Sequence, residues 1–67
     1  MSQQEIEETI EEIAYYQSRI HYWKEMLQQS KELKQPKAEE TAKQRIEENT
    51  RRRNEQANRL VELKRKT

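Results

Sequence analysis

Arg51, Arg52 and Arg53 form the densest run of charge in the chain, and Arg45 and Arg59 lie seven residues either side of Arg52. Guanidinium groups present fixed forks of donors that suit phosphate and carboxylate oxygens. These five residues are therefore the candidate nucleic-acid contacts. On a helix, however, consecutive side chains point about 100° apart, so only part of the triplet can follow one phosphate backbone. Glu47, Glu48 and Glu55 dilute the positive field, and the formal net charge is only +1. A second role for the arginines is to answer acidic residues elsewhere in the chain. Their stems and planes would also cover Tyr16 and Trp23.

Other chemistry is largely excluded by residue type. His21 and Glu25 stand four apart, which puts both on one helical face in a spacing compatible with metal ligation. No second histidine exists to complete a site, and a surface hydrogen-bonded pair is the expected outcome. With no aspartate in the chain, no Ser-His-Asp set can form, and with no glycine no glycine-rich phosphate loop can form. Cysteine is absent, which removes thiolate metal sites and disulfides alike. The chain is expected to be no enzyme and to need no cofactor or metal. What remains is recognition: Tyr15, Tyr16, Tyr22 and Trp23 crowd into nine positions, and Tyr, Trp and Arg dominate binding hot spots.

Those side chains must be carried by helices. Ile6, Ile13, Ile20 and Leu27 recur every seven residues, with Ile10 continuing the face at the N-terminal end and Tyr16 and Trp23 flanking it. That is a heptad seam. Ser2 and Glu5 stand in the S-x-x-E relation of a capping box. A first helix is predicted over about 3–34, and a residue before proline is pushed out of the α region, so Gln35 should end it. Pro36, the only proline, suits the first turn of a second helix over about 37–66, after a turn at about 35–36. In that second helix Ala42, Ile46, Leu60 and Leu63 alternate with Asn49, Arg53 and Gln56. Arg45, Arg52, Arg59 and Lys66 make a basic row, and Glu48, Glu55 and Glu62 an acidic one.

Charge separates at the same point. Residues 1–33 hold seven acidic and three basic side chains, and residues 34–67 hold eleven basic and six acidic ones. Thirteen of the twenty apolar residues lie in the first part. Folding the arms antiparallel pairs positions whose numbers add to about 71, and brings Glu5–Glu12 against Arg59–Lys66. The competing arrangement is one continuous helix kinked at Pro36, which costs about 3 kcal/mol for proline in a helix interior. The expected fold is all-α: a single antiparallel two-helix hairpin, coiled-coil-like. Although 30% apolar and 40% charged residues overlap the composition of disordered chains, the sustained heptads argue for order.

Tyr15, Tyr22, Met26 and Leu33 fall on a second face of the first helix, about 120° from the seam. One partner helix cannot cover both stripes. These four are the candidate partner-binding residues, and the expected state is a dimer of hairpins forming a four-helix bundle. Gln17, Asn49, Arg53 and Gln56 near the seam read as a polar layer that fixes register. The functional expectation is a non-catalytic protein-interaction, adaptor or assembly module acting by helix-on-helix docking on itself or on a helical protein partner. The alternative is a nucleic-acid-associated accessory protein using the basic row. No apolar stretch approaches the roughly 20 residues of a membrane span. Met1–Glu5 has no basic segment followed by an apolar run, so a cytoplasmic location is expected.

Overall fold

The computed structural model describes residues 3–66 and consists of α1, Gln3–Glu32, and α2, Pro36–Arg65. Each helix has 30 residues, about 45 Å at 1.5 Å per residue. The molecule measures 50 × 13 × 10 Å, the length of one helix and the cross-section of two. Arg53 Nη1 donates to Gln17 Oε1 at 2.9 Å across 36 positions of sequence. The chain is therefore an antiparallel hairpin and not a kinked rod.

The turn is built differently from the sequence expectation. α1 stops at Glu32, two residues early, and the connection is Leu33–Gln35. Lys34 has φ 56°, the left-handed region. Around it the Gln35 N–H reaches the Ser30 carbonyl at 2.9 Å and the Lys34 N–H reaches that of Lys31 at 3.2 Å. This pair of bonds closes a Schellman cap, satisfying carbonyls that the helix end would leave open. A lysine occupies the position that glycine usually fills, because the chain has none. Pro36 opens α2 at the position where its missing N–H is harmless. Gln35 precedes it with φ −110° and ψ 87°, and the Gln35 carbonyl receives the Glu39 N–H at 3.0 Å. The capping box proposed for Ser2 lies outside the described residues.

The burial pattern gives the seam directly. On α1 the shielded positions include Ile6, Thr9, Ile13, Tyr16, Ile20, Trp23, Leu27 and Ser30, and on α2 Glu39, Ala42, Ile46, Asn49, Arg53, Gln56, Leu60 and Leu63; Glu5, Arg19, Met26, Glu48 and Thr50 are part-covered beside them. Both rows alternate three and four residues, the spacing of a two-stranded coiled coil. Taken from the turn outward the rows match layer for layer: Leu27 with Ala42, Trp23 with Ile46, Ile20 with Asn49, Tyr16 with Arg53, Ile6 with Leu63. Each pair of numbers adds to 69, not 71, because a turn centred on Lys34 moves the fold axis toward the N-terminus. Trp23 and Leu27 thus lie level with Ile46 and Ala42, large against smaller.

Two seam assignments change. Ile10 is 47% exposed, and the buried place beside it belongs to Thr9. Ile10 lies four residues after Ile6 and so falls on the flank, while Thr9 completes the three-four alternation. Its hydroxyl costs little there because it donates to the Glu5 carbonyl at 2.8 Å. Val61 is also half-exposed. Ser30 repeats the Thr9 device, donating to the Met26 carbonyl at 2.8 Å, and the Asn49 amide donates to the Arg45 carbonyl at 2.7 Å. All three are local bonds to the residue four back in the same helix. Gln56 Oε1 and Trp23 Nε1 are buried and meet no partner within the hairpin.

Candidate interaction surface

Beside the buried seam, one flank of the hairpin carries the next two heptad positions of each helix. On α1 these bring Tyr15, Arg19, Tyr22 and Met26 into one row, spaced by four, three and four, which Leu33 continues into the turn seven residues after Met26. Tyr15 is 56% exposed, Tyr22 50% and Leu33 66%, with Met26 partly covered. All four sequence-predicted partner residues thus lie on one face that α2 leaves open.

The tyrosines are held by their sequence neighbours. Tyr15 meets Tyr16 edge-on, centroids 5.2 Å apart at 71°, and Tyr22 meets Trp23 in the same way at 5.1 Å and 81°. Each pair joins one seam aromatic to one flank aromatic, and the pair recurs after one heptad. Edge-to-face contacts add about 0.5–1.5 kcal/mol beyond burial, so the exposed rings form a fixed platform. The Arg19 guanidinium stands over the Tyr15 ring at 5.9 Å, within cation–π range.

Across the seam the same flank of α2 presents its basic row. Tyr15, Tyr16, Arg19, Arg45, Glu48, Asn49 and Arg52 line a groove of about 360 Å³. Glu48 sits between two arginines, 3.7 Å from Arg45 and 3.8 Å from Arg52. The Arg52 guanidinium is pushed above arginine's ordinary range, first by hydrogen bonding to Tyr16, then by charge attraction to Tyr16 and Glu48. Arginine is cationic throughout the physiological range, so this shift is no pH switch. The arginine that stands over an aromatic ring is Arg19 of α1 itself, over Tyr15, while Arg45 and Arg52 of α2 line the groove beside Tyr16.

The arginine triplet divides three ways, as helix geometry requires. Arg52 enters the groove with Arg45. Arg53 turns into the seam, bonded to Gln17 and, at 3.1 Å, to Asn54 Oδ1. Arg51 points to the back of α2, where it lines a separate recess with Gln44, Glu47 and Glu48. Arg59 is exposed, one heptad beyond Arg52. Arg19 and Glu48 were not singled out from sequence as groove members. The available signal was Arg19 standing four residues after Tyr15, on the same face. His21 and Glu25 pair at 3.2 Å on an open surface, both well exposed. Among the described residues no group of three His, Cys, Asp or Glu side chains could hold a metal ion, and no helix is long and apolar enough to cross a membrane. No protein-family model, curated protein or solved structure matches the chain.

Proposed function

We propose that the chain is a non-catalytic assembly module that works by docking the open flank of α1 onto another helical pair, a second hairpin in the first instance. The observation that supports this most directly is the row of Tyr15, Tyr22 and Leu33, all exposed, with part-covered Met26 between them, running beside the seam at helix-packing spacing. An exposed apolar stripe of this kind marks an interaction surface. Two hairpins joined along it would form a four-helix bundle, the arrangement in which the second stripe of α1 becomes core. The marginal size of the hairpin points the same way, since fewer than 70–80 residues seldom build a sufficient core alone.

Sedimentation equilibrium at micromolar concentration tests this. The expected mass exceeds the 8.3 kDa chain, and Tyr22→Glu, which places a charge at the centre of the row, is expected to shift the molecule toward monomer. A wild-type chain that stays monomeric with full helicity would remove the docking reading.

A second reading rests on the groove itself. Arg19, Arg45 and Arg52 converge beside two tyrosine rings, and single-stranded nucleic acid is held by such combinations of cations and stacking faces. Binding of this kind would fall steeply with salt. Each phosphate contacted on a single strand contributes a slope of about −0.7 in log K against log salt, so three contacts imply roughly −2.

A further inference from the structure

The groove beside the seam holds more positive charge than its own acid can answer. Arg45 and Arg52 share Glu48 at 3.7 and 3.8 Å. Both distances exceed hydrogen-bond reach, so the carboxylate balances charge without using up their donors. Arg19 has no such neighbour on its helix. The residues three and four positions either side of it are Tyr15, Tyr16, Tyr22 and Trp23, all aromatic. It is part-covered, with its guanidinium over the Tyr15 ring.

The register sets like charges together here. Arg19 precedes Ile20 and Arg52 precedes Arg53, which places the two on the same side of the seam in adjoining layers. Glu12 and Arg59 stand in the same relation one heptad nearer the open end, and there the signs are opposite. Opposite signs are the usual arrangement beside a coiled-coil seam. Among the described residues the charged lining of the groove is three guanidinium groups and one carboxylate, an excess of two positive charges.

We propose that this groove binds a small phosphate monoester, its phosphoryl dianion seated among Arg19, Arg45 and Arg52 and its organic body along exposed Tyr15. A phosphate monoester carries about −1.5 to −2 charges at pH 7 and three strong acceptor oxygens. That matches both the excess charge and the number of guanidinium forks. The space of about 360 Å³ is at the lower end for small-molecule sites, which leaves room for a compact body beside the tyrosine.

The rest of this flank limits the length of the ligand. Toward the open end it carries Glu5, Glu8, Glu12, Glu55 and Glu62 against Arg59 and Lys66. Toward the turn, Tyr22, Met26 and Leu33 lie with Ala38 and Thr41, and none of these is charged. A strand of phosphodiesters running out of the groove would meet net negative charge on one side and no cation on the other. A single phosphoryl group meets neither. The site stands apart from the docking row, with which it shares only Tyr15.

Calorimetric titration at low ionic strength tests the site, with adenosine monophosphate as the probe and helicity checked by circular dichroism. The monophosphate is expected to bind, adenosine not to bind, and inorganic phosphate to bind more weakly. Arg19→Gln is expected to weaken binding by at least about tenfold, the loss of one charge-assisted hydrogen bond. Lys24→Gln removes an equal charge from the other flank and is expected to change it by less than about twofold, because distant exposed charges are screened. Equal losses in the two variants would reduce the binding to overall charge and overturn the site, as would no binding at millimolar probe. Inorganic phosphate binding as tightly as the monoester would overturn the role of the organic body. A short oligothymidylate that binds more tightly per phosphate than the mononucleotide would overturn the inference in favour of single strands. Should Arg19→Gln lose its helicity, exposed Arg45→Gln takes its place with the same loss expected, and unchanged affinity there would overturn the site. The titration repeated on Leu33→Glu, which alters the docking row far from the groove, separates the two readings. A monomer that binds the probe keeps the site without docking, and a folded monomer that does not bind it overturns the site.

Discussion

Replacing Lys34 by glycine should stabilise the hairpin, because the turn forces a residue with a Cβ into the left-handed region. At φ 56° a non-glycine residue is strained by roughly 1–2 kcal/mol, from the approach of its Cβ to the following carbonyl. Glycine removes that strain and keeps both capping bonds, which involve only backbone atoms of Ser30, Lys31, Lys34 and Gln35. It also adds freedom to the unfolded chain, which takes back about 0.4–1 kcal/mol. The mid-values leave a net gain of about 0.8 kcal/mol, within a span of roughly 0–1.6. For a domain of 60–100 residues each kcal/mol moves the melting temperature by about 4–8 °C, so Lys34→Gly should melt roughly 2–8 °C higher. Thermal unfolding followed at 222 nm reads this, with chain concentration held fixed because association would also move the midpoint. Lys34→Ala separates backbone from side chain: it deletes the ammonium and keeps the Cβ, and its midpoint should stay near that of the wild type. If Lys34→Gly melts at or below the Lys34→Ala midpoint, the left-handed residue is not a cost and the account of the turn is wrong.

Three further outcomes follow from the seam and the groove. Gln56→Leu replaces a buried acceptor that has no partner by apolar contact level with Ile13, and should raise stability by about 1–3 kcal/mol in urea titration; no rise would mean that Gln56 reaches water or a second copy. Ile20 is 2% exposed, and Ile20→Ala should cost about 2–5 kcal/mol, enough to abolish most of the helical signal at 25 °C in a hairpin this small; retention of full helicity would place the stabilising contacts elsewhere. Arg45→Gln/Arg52→Gln/Arg59→Gln should leave binding to single- and double-stranded nucleic acid negligible before and after substitution at physiological salt. A steep salt dependence in the wild type that the triple variant loses would promote the nucleic-acid reading over docking.

The hairpin was legible because its evidence is periodic. Seven-residue recurrence of Ile6, Ile13, Ile20 and Leu27 survives any small error in helix ends, and Pro36 leaves few places for the chain to reverse. The register was less legible, since it depends on which residues form the turn. Sequence rules put the break at the residue before proline, but the break comes from Lys34 adopting a conformation that its type disfavours. A local rule cannot anticipate a strained lysine, and the two-unit shift of every layer follows from it. The seam itself was misread where residue type and position disagree. Ile10 is the more apolar side chain and Thr9 the one in the right place, and position prevails because Thr9 can satisfy its own hydroxyl. The union of Tyr15, Arg19, Arg45 and Arg52 needed the correct register, so the groove could be assembled only after the layers were known.

The polar residues of the seam do different work from what their positions suggest. A buried asparagine that bonds across a coiled coil ties one helix to a particular height of the other and fixes partner number. Asn49, Thr9 and Ser30 instead spend their hydrogen bonds on carbonyls of their own helices, four residues back. They occupy the interface without choosing a register. That choice falls to the turn and to Gln17 with Arg53, which bond across the two arms near their middle. A seam whose polar residues bond within their own helices contributes little specificity, and the distinctive chemistry of the chain (paired aromatics and the arginines of the groove) lies on its flanks. If the docking proposed above occurs, folding and association are coupled, because contacts that bury Tyr22 in a neighbour would add to the stability of the seam. The midpoint of thermal unfolding is expected to rise with chain concentration in the wild type and to become independent of it in the Tyr22→Glu/Leu33→Glu variant. A concentration-independent midpoint in the wild type would show that the seam stabilises the hairpin unaided, and that the flanks are free to serve other partners.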